Sequence, residues 1–184
     1  HYLRQVTLKE FDVQRAVDVI PNFVNCDVFQ PVEGHPRRKE IAPGGEKVLV
    51  HLSNFRPVKR IPDVIEIFAI VRREVSAKLL MIGDGPERTT AEWLVRQKGL
   101  ANDVIFMGKQ NQVQDLLCLA DVMLLPSDLE SFGLAALEGM ACGVPAVCSR
   151  VGGVPEVVTD GVEGYLVEPR DVQTMAARAL EILT

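Results

Sequence analysis

Lys47-Val48-Leu49-Val50-His51-Leu52, then Ile61-Pro62-Asp63-Val64-Ile65-Glu66-Ile67-Phe68-Ala69-Ile70-Val71, then Lys78-Leu79-Leu80-Met81-Ile82: this stretch decides the fold. Its first and third runs are short and almost wholly apolar, the pattern of strands covered on both faces. Between them Ile61, Val64, Ile65, Phe68 and Val71 recur at helical spacing, which predicts a helix over 61–75. Two apolar strands joined by a helix form a parallel βαβ unit.

The same alternation continues to the end of the chain. Strands are expected at Val104–Met107, Val122–Leu125, Val144–Cys148 and Gly164–Val167. Helices are expected at Pro86–Lys98, Val113–Leu119, Ser131–Cys142, Val154–Val158 and Asp171–Leu183. About six such units give an α/β, Rossmann-like, doubly wound parallel sheet; a closed barrel needs about eight. In open sheets of this kind ligands bind beyond the carboxyl ends of the strands. Residues 1–46 read differently. Val17-Asp18-Val19-Ile20-Pro21-Asn22 is expected to form one short strand, and Gly34 to Gly45 a flexible surface loop. The expected organisation is therefore 1–46 as a partial interdomain segment and loop, and 47–184 as the ligand-binding domain.

Composition narrows the function. The 184 residues are 47% hydrophobic and 24% charged, which are globular values, and the net charge of −5 gives no support for nucleic-acid binding. No apolar run approaches the length of a membrane span. Cys26, Cys118, Cys142 and Cys148 are scattered without CxxC pairing, which fits small buried hydrophobes in a reducing cytoplasm better than a metal site.

The candidate site residues all fall at strand ends. Glu138 interrupts an otherwise apolar helix, and Glu130 stands just before that helix. A buried carboxylate is costly unless it is partnered. Either Glu138 pairs with a neighbouring cation, or acid, helix start and acid together hold the phosphate and diol of a ligand. After the first strand, Arg56, Lys59 and Arg60 form a cationic turn suited to a pyrophosphate, although a solvated helix start explains them too. Gly83-Asp84-Gly85-Pro86 lacks the third glycine of a dinucleotide fingerprint; it is a tight turn, with or without a ligand against its backbone. Gly108-Lys109-Gln110 and Gly152-Gly153 are similar strand-end turns with the same two readings. His51 reads as a satisfied core histidine. No nucleophile triad and no metal-ligand spacing is present, so the pattern is that of a binding site without a complete catalytic apparatus.

Glu130 and Glu138, with seven residues between them and Ser131-Phe132-Gly133-Leu134 following the first, resemble the E-x7-E motif of the retaining GT-B glycosyltransferases of family 4 (group 1). Gly83-Asp84-Gly85-Pro86, Phe106-Met107-Gly108, Ala141-Cys142-Gly143-Val144-Pro145 and Gly152-Gly153-Val154-Pro155-Glu156 are similar to that family's other blocks, in order. His51 to Arg60, with Gly108-Lys109-Gln110, resembles more narrowly its bacillithiol-pathway branch, which moves N-acetylglucosamine from a UDP donor onto L-malate. The resemblance implies one half of a GT-B fold, the half that binds the nucleotide-sugar, with an N-terminal acceptor domain expected elsewhere in the full protein. It implies that Glu130, Lys59 and Arg56 serve catalysis. Glu138 would grip the ribose, and Ser131, Phe132, Gly133 and Leu134 would meet sugar and phosphate. Gly83, Gly108, Lys109, Gln110, Gly152 and Gly153 would complete the donor site. Asn54 stands where the family commonly has a phosphate-binding arginine, with Arg56 two residues on. The resemblance implies a metal-free reaction without a cofactor, and one in which the donor's own phosphate takes the acceptor proton, so that no protein base is needed. The isolated half is expected to be inactive. Competing expectations are another acceptor (a lipid or a polysaccharide), a related UDP-sugar epimerase, and a non-catalytic nucleotide-binding module.

Overall fold

A computed structural model describes residues 1–184. Six strands form one fully parallel sheet: β1 (Lys47–Leu52), β2 (Ala77–Ile82), β3 (Val104–Gly108), β4 (Val122–Leu125), β5 (Ala146–Ser149) and β6 (Gly164–Val167), in the spatial order β3-β2-β1-β4-β5-β6. This order reverses direction between β1 and β4, where doubly wound folds open a crevice for ligands. Seven helices accompany the strands: α1 (Tyr2–Glu10), α2 (Arg38–Ile41), α3 (Ile61–Glu74), α4 (Arg88–Gln97), α5 (Gln114–Leu117), α6 (Leu134–Ala141) and α7 (Val172–Leu183).

All the strands but the edge strand β3 are largely buried on both faces, because their alternating side chains feed two cores. Leu49, Leu79, Met81, Val122, Leu124 and Val147 pack with α3, α4 and α7. Val48, Val50, Leu80, Ile82, Met123, Leu125 and Cys148 pack on the other side with α5 and α6. A one-residue slip of any strand would exchange the two sets.

Several expected boundaries move. The helix expected from Ser131 begins at Leu134, because Gly133 adopts a left-handed conformation (φ 92°) that breaks the run. The helix expected from Pro86 begins at Arg88, the one over 113–119 shrinks to α5, and that over 154–158 is a 3₁₀ turn at Val154–Glu156. The expected strand at 17–22 is absent. Its β-branched residues find no strand to pair with, and Ile20 is 90% exposed. The expected flexible loop over 34–45 holds the helical turn α2 instead. There Arg38 donates to the carbonyls of Leu119 and Glu46 and to Asp121, while Ile41 and Ala42 enter the core. The packed unit thus extends upstream of Lys47. Helix α1 was not expected; it buries no residue. No helix is long and apolar enough to cross a membrane.

Candidate functional site

The rim at the carboxyl ends of the strands starts from a buried histidine. His51, at the end of β1, is fully buried, and its Nδ1 lies 2.9 Å from the Leu124 carbonyl of β4. A carbonyl only accepts, so Nδ1 carries the proton and Nε2 accepts from the Ser53 hydroxyl 2.8 Å away. Ser53 Oγ in turn accepts from the Phe55 N–H. Burial lowers the His51 pKa to about 4, against the partial support of the Leu124 hydrogen bond. His51 is therefore a neutral brace at the β1–β4 switch point, as the sequence reading expected of a core histidine.

That brace shapes the turn that carries the cations. Phe55 (φ 42°) and Arg60 (φ 55°) both hold left-handed backbone, a conformation that persists only where surrounding contacts fix it. The three cations separate. Arg60 is taken up by Asp63, with two hydrogen bonds at 2.9 Å, so it is a helix-start ion pair and not a free phosphate ligand. Asp63 in the first turn of α3 also answers the dipole conflict that cations there would create. Arg56 is exposed and makes no ion pair. Lys59 reaches across the switch point and pairs with Glu130.

Glu130 follows β4. Its Oε1 also accepts from the buried Ser127 hydroxyl at 2.9 Å, and its carbonyl accepts from Gly153 N–H at 3.1 Å. Eight residues on, Glu138 is half-buried on α6. Burial pushes its pKa up, and no hydrogen bond or charge counteracts it. The alternative in which Glu138 pairs with a neighbouring Lys or Arg does not hold. The N-terminus of α6 carries no side-chain cap either, and Leu134 in its first turn is exposed. An unanswered carboxylate and an uncapped helix start on one helix leave both for something outside the chain.

The glycines have a reason that spacing could not reveal. A Cβ on Gly83 would stand 1.8 Å from the Ser53 carbonyl oxygen, and one on Gly152 1.7 Å from that of Glu130. Gly153 is pressed in the same way against Ser131. These residues let the strand-end loops touch backbone to backbone, so they build the rim. Gly83 N–H further donates to the Gly108 carbonyl, joining the β2 and β3 ends. Beyond Gly108, Lys109 and Gln110 are exposed, and Gln110 folds back to donate to the Met107 carbonyl. Gly139, which sequence reasoning passed over, brings α6 onto β4: a Cβ there would meet Met123 Sδ at 2.8 Å.

Ser131 and Phe132 also line a cavity of about 470 Å³ that opens toward α1 and residues 17–22. Of the strand-end residues expected at the site, Lys59 and Glu130 are in contact, and Arg56, on the same turn as Lys59, makes no ion pair. No group of three or more His, Cys, Asp or Glu side chains is placed to hold a metal ion.

Residues 35–184 match the model of a family described as "Glycosyl transferases group 1". The chain is 43% identical over its whole length to the N-acetyl-alpha-D-glucosaminyl L-malate synthase of Bacillus anthracis, covering 48% of that protein. It is 32% identical over 97% of its length to the D-inositol 3-phosphate glycosyltransferase of Mycolicibacterium smegmatis, covering 42% of that protein. It spans about half the length of these curated relatives or somewhat less. Among solved structures, a TarM variant of S. aureus in complex with fondaparinux, alpha-GlcNAc-glycerol and UDP superposes with a TM-score of 0.84 and 25% identity, over 98% of this chain and 35% of that one.

Proposed function

Because this chain belongs to the group 1 glycosyl transferases, we propose that it is the donor-binding half of a retaining glycosyltransferase whose donor is a UDP-sugar. One observation carries this reading. Glu138 presents a half-buried carboxylate with no internal partner, on the helix whose uncapped start adjoins the Lys59–Glu130 pair. A ribose diol supplies two donors to such a carboxylate, and a diphosphate suits both the helix start and the Lys59 ammonium.

Position supports the following roles. Glu138 binds the ribose hydroxyls. The first-turn N–H groups of α6 and Lys59 neutralise the diphosphate as the bond to the sugar breaks. Glu130, released from Lys59 when phosphate arrives, faces the donor sugar. Gly108, Lys109 and Gln110 border the base. Arg56, exposed on the same turn, approaches the leaving phosphate as the second cation. No metal is required, since fixed cations and N–H dipoles answer the charge that develops on the leaving group.

For the full protein, the name of the Bacillus anthracis relative supports N-acetylglucosamine as the sugar and L-malate as the acceptor, and coverage of about half that relative leaves room for an acceptor domain that completes the cleft. The similarity to an inositol-phosphate glycosyltransferase supports the second reading, a different polar acceptor.

Calorimetric titration of this chain with UDP, UDP-N-acetylglucosamine, GDP and ADP tests the reading. The two uridine compounds should bind, with the purine nucleotides weaker by about tenfold or more. Equal affinity for all four, or none for UDP, overturns it. Sugar transfer to malate by this chain alone would overturn the assignment as a half-site.

A further inference from the structure

Lys59 and Glu130 sit on separate loops, and their contact depends on how those loops are held. One residue of the β4 loop, Asp128, joins that loop to two other chain segments. The N–H of Asp128 donates to the Val58 carbonyl at 2.8 Å, which pins the β4 loop to the residue just before Lys59. Its carboxylate accepts two parallel hydrogen bonds from Arg170, at 3.0 and 3.1 Å, from the loop between β6 and α7. The same carboxylate lies 3.9 Å from Arg60 Nε, and Arg60 is itself fixed by two hydrogen bonds to Asp63 on α3. Arg60 (φ 55°) and Arg170 (φ 68°) are two of the three non-glycine residues with left-handed backbone, and both converge on Asp128. Strained backbone on both sides of one carboxylate requires contacts that over-determine it.

None of these residues lies among those assigned to the donor. Three of them adjoin such residues in sequence: Val58 and Arg60 flank Lys59, and Asp128 precedes Glu130 by two, whereas Asp63 and Arg170 lie farther off. We propose that Asp128, anchored by Arg60 and Arg170, is a positioning residue that holds the Lys59 turn against the Glu130 loop and so sets the Lys59 ammonium where the donor's phosphates arrive. The proposal rests on the donor-site reading above. A single exposed ion pair contributes little, but here a bidentate pair and a second cation act on one carboxylate, and the same residue's N–H is tied to the Val58 carbonyl. Asp128 acts through Lys59, so its loss should register on ligands that carry phosphate and not on those that lack it.

The test compares UDP with uridine, by calorimetry, on the unsubstituted chain, Asp128→Asn, Lys59→Met and the double variant. Asp128→Asn keeps the backbone hydrogen bond to Val58 and removes the charge. It should weaken UDP about three- to tenfold while leaving uridine within about twofold. In the Lys59→Met background the same substitution should cost UDP nothing further, because the residue it positions is gone. If Asp128→Asn does not fold, Arg170→Gln removes the bidentate pair from the other side and should give the same phosphate-selective loss. Equal weakening of UDP and uridine, full additivity with Lys59→Met, or unchanged UDP affinity overturns the positioning role. If the unsubstituted chain binds no UDP, the donor-site reading falls and this inference falls with it. UDP binding that ignores Asp128 and Arg170 removes this inference alone.

Discussion

Acidification should uncouple the brace beneath the site before it unfolds the chain. His51 is neutral in the folded state, with a pKa lowered to about 4 by burial, against an ordinary value of 6.5. The folded chain therefore binds fewer protons at this position than the unfolded chain between these two values. The associated stability is fully present above pH 6.5 and is lost as pH falls toward 4. A difference of this size is about 3 kcal/mol, at 1.36 kcal/mol per pKa unit, most of it gone by pH 4. Protonation also converts Nε2 from acceptor to donor, so the Ser53 hydroxyl must rotate and accept from it while still accepting from the Phe55 N–H. The assay is urea unfolding of the chain and of His51→Gln at pH 7, 5.5 and 4.5. Gln retains a donor and an acceptor but does not titrate. Carboxylates contribute to acid destabilisation equally in both proteins, so the difference between them isolates His51. The advantage of the native chain over His51→Gln should shrink steadily as the pH falls. Parallel curves would mean that His51 titrates alike in both states, and would refute its role as a buried neutral brace.

Gly152→Ala should destabilise the chain by about 2–4 kcal/mol and lower Tm by roughly 5–15 °C, because its Cβ would collide with the Glu130 carbonyl and its φ is +54°. Gly99→Ala, also left-handed (φ +69°) but with open space around it, should lose only about 1 kcal/mol. Thermal unfolding by circular dichroism compares the two. UDP affinity should fall with added salt but be unchanged by chelator, because Lys59 and helix N–H groups meet the phosphates; calorimetry with and without EDTA and Mg²⁺ reads both. A requirement for Mg²⁺ would contradict the metal-free reading.

The sheet was legible because each strand is a short apolar run, all but the edge strand β3 largely buried, and such a run reads the same in one dimension as in three. The strand-end positions of Glu130, Gly108 and Gly152, and the place of Glu138 on the following helix, followed directly from that pattern. What sequence could not show was long-range. Lys59 and Glu130 are 71 residues apart, and nothing local announces their pairing or singles out Lys59 from Arg56 and Arg60. Arg38 holds 34–45 in place through partners as distant as Asp121, so a polar, Gly- and Pro-rich segment that reads as a loop is in fact anchored. Val17, Val19 and Ile20 have strand propensity without a neighbouring strand to realise it. Helix α1 was hidden for the opposite reason: it buries nothing, so it shows no apolar stripe. The close approach of Gly83 and Gly152 to neighbouring loops is likewise a property of packing, invisible to a reading that sees only glycines at turns.

If Glu138 is kept in its unfavourable setting in order to bind a ribose, removing its charge should separate affinity from stability. Glu138→Gln preserves shape and removes the charge that burial penalises. Measured on the same variant, UDP affinity and melting temperature should move in opposite directions: UDP binding weaker by about 2 kcal/mol, near thirtyfold, with Tm unchanged or raised. Unchanged UDP affinity with a lowered Tm would make Glu138 a structural residue and contradict the account.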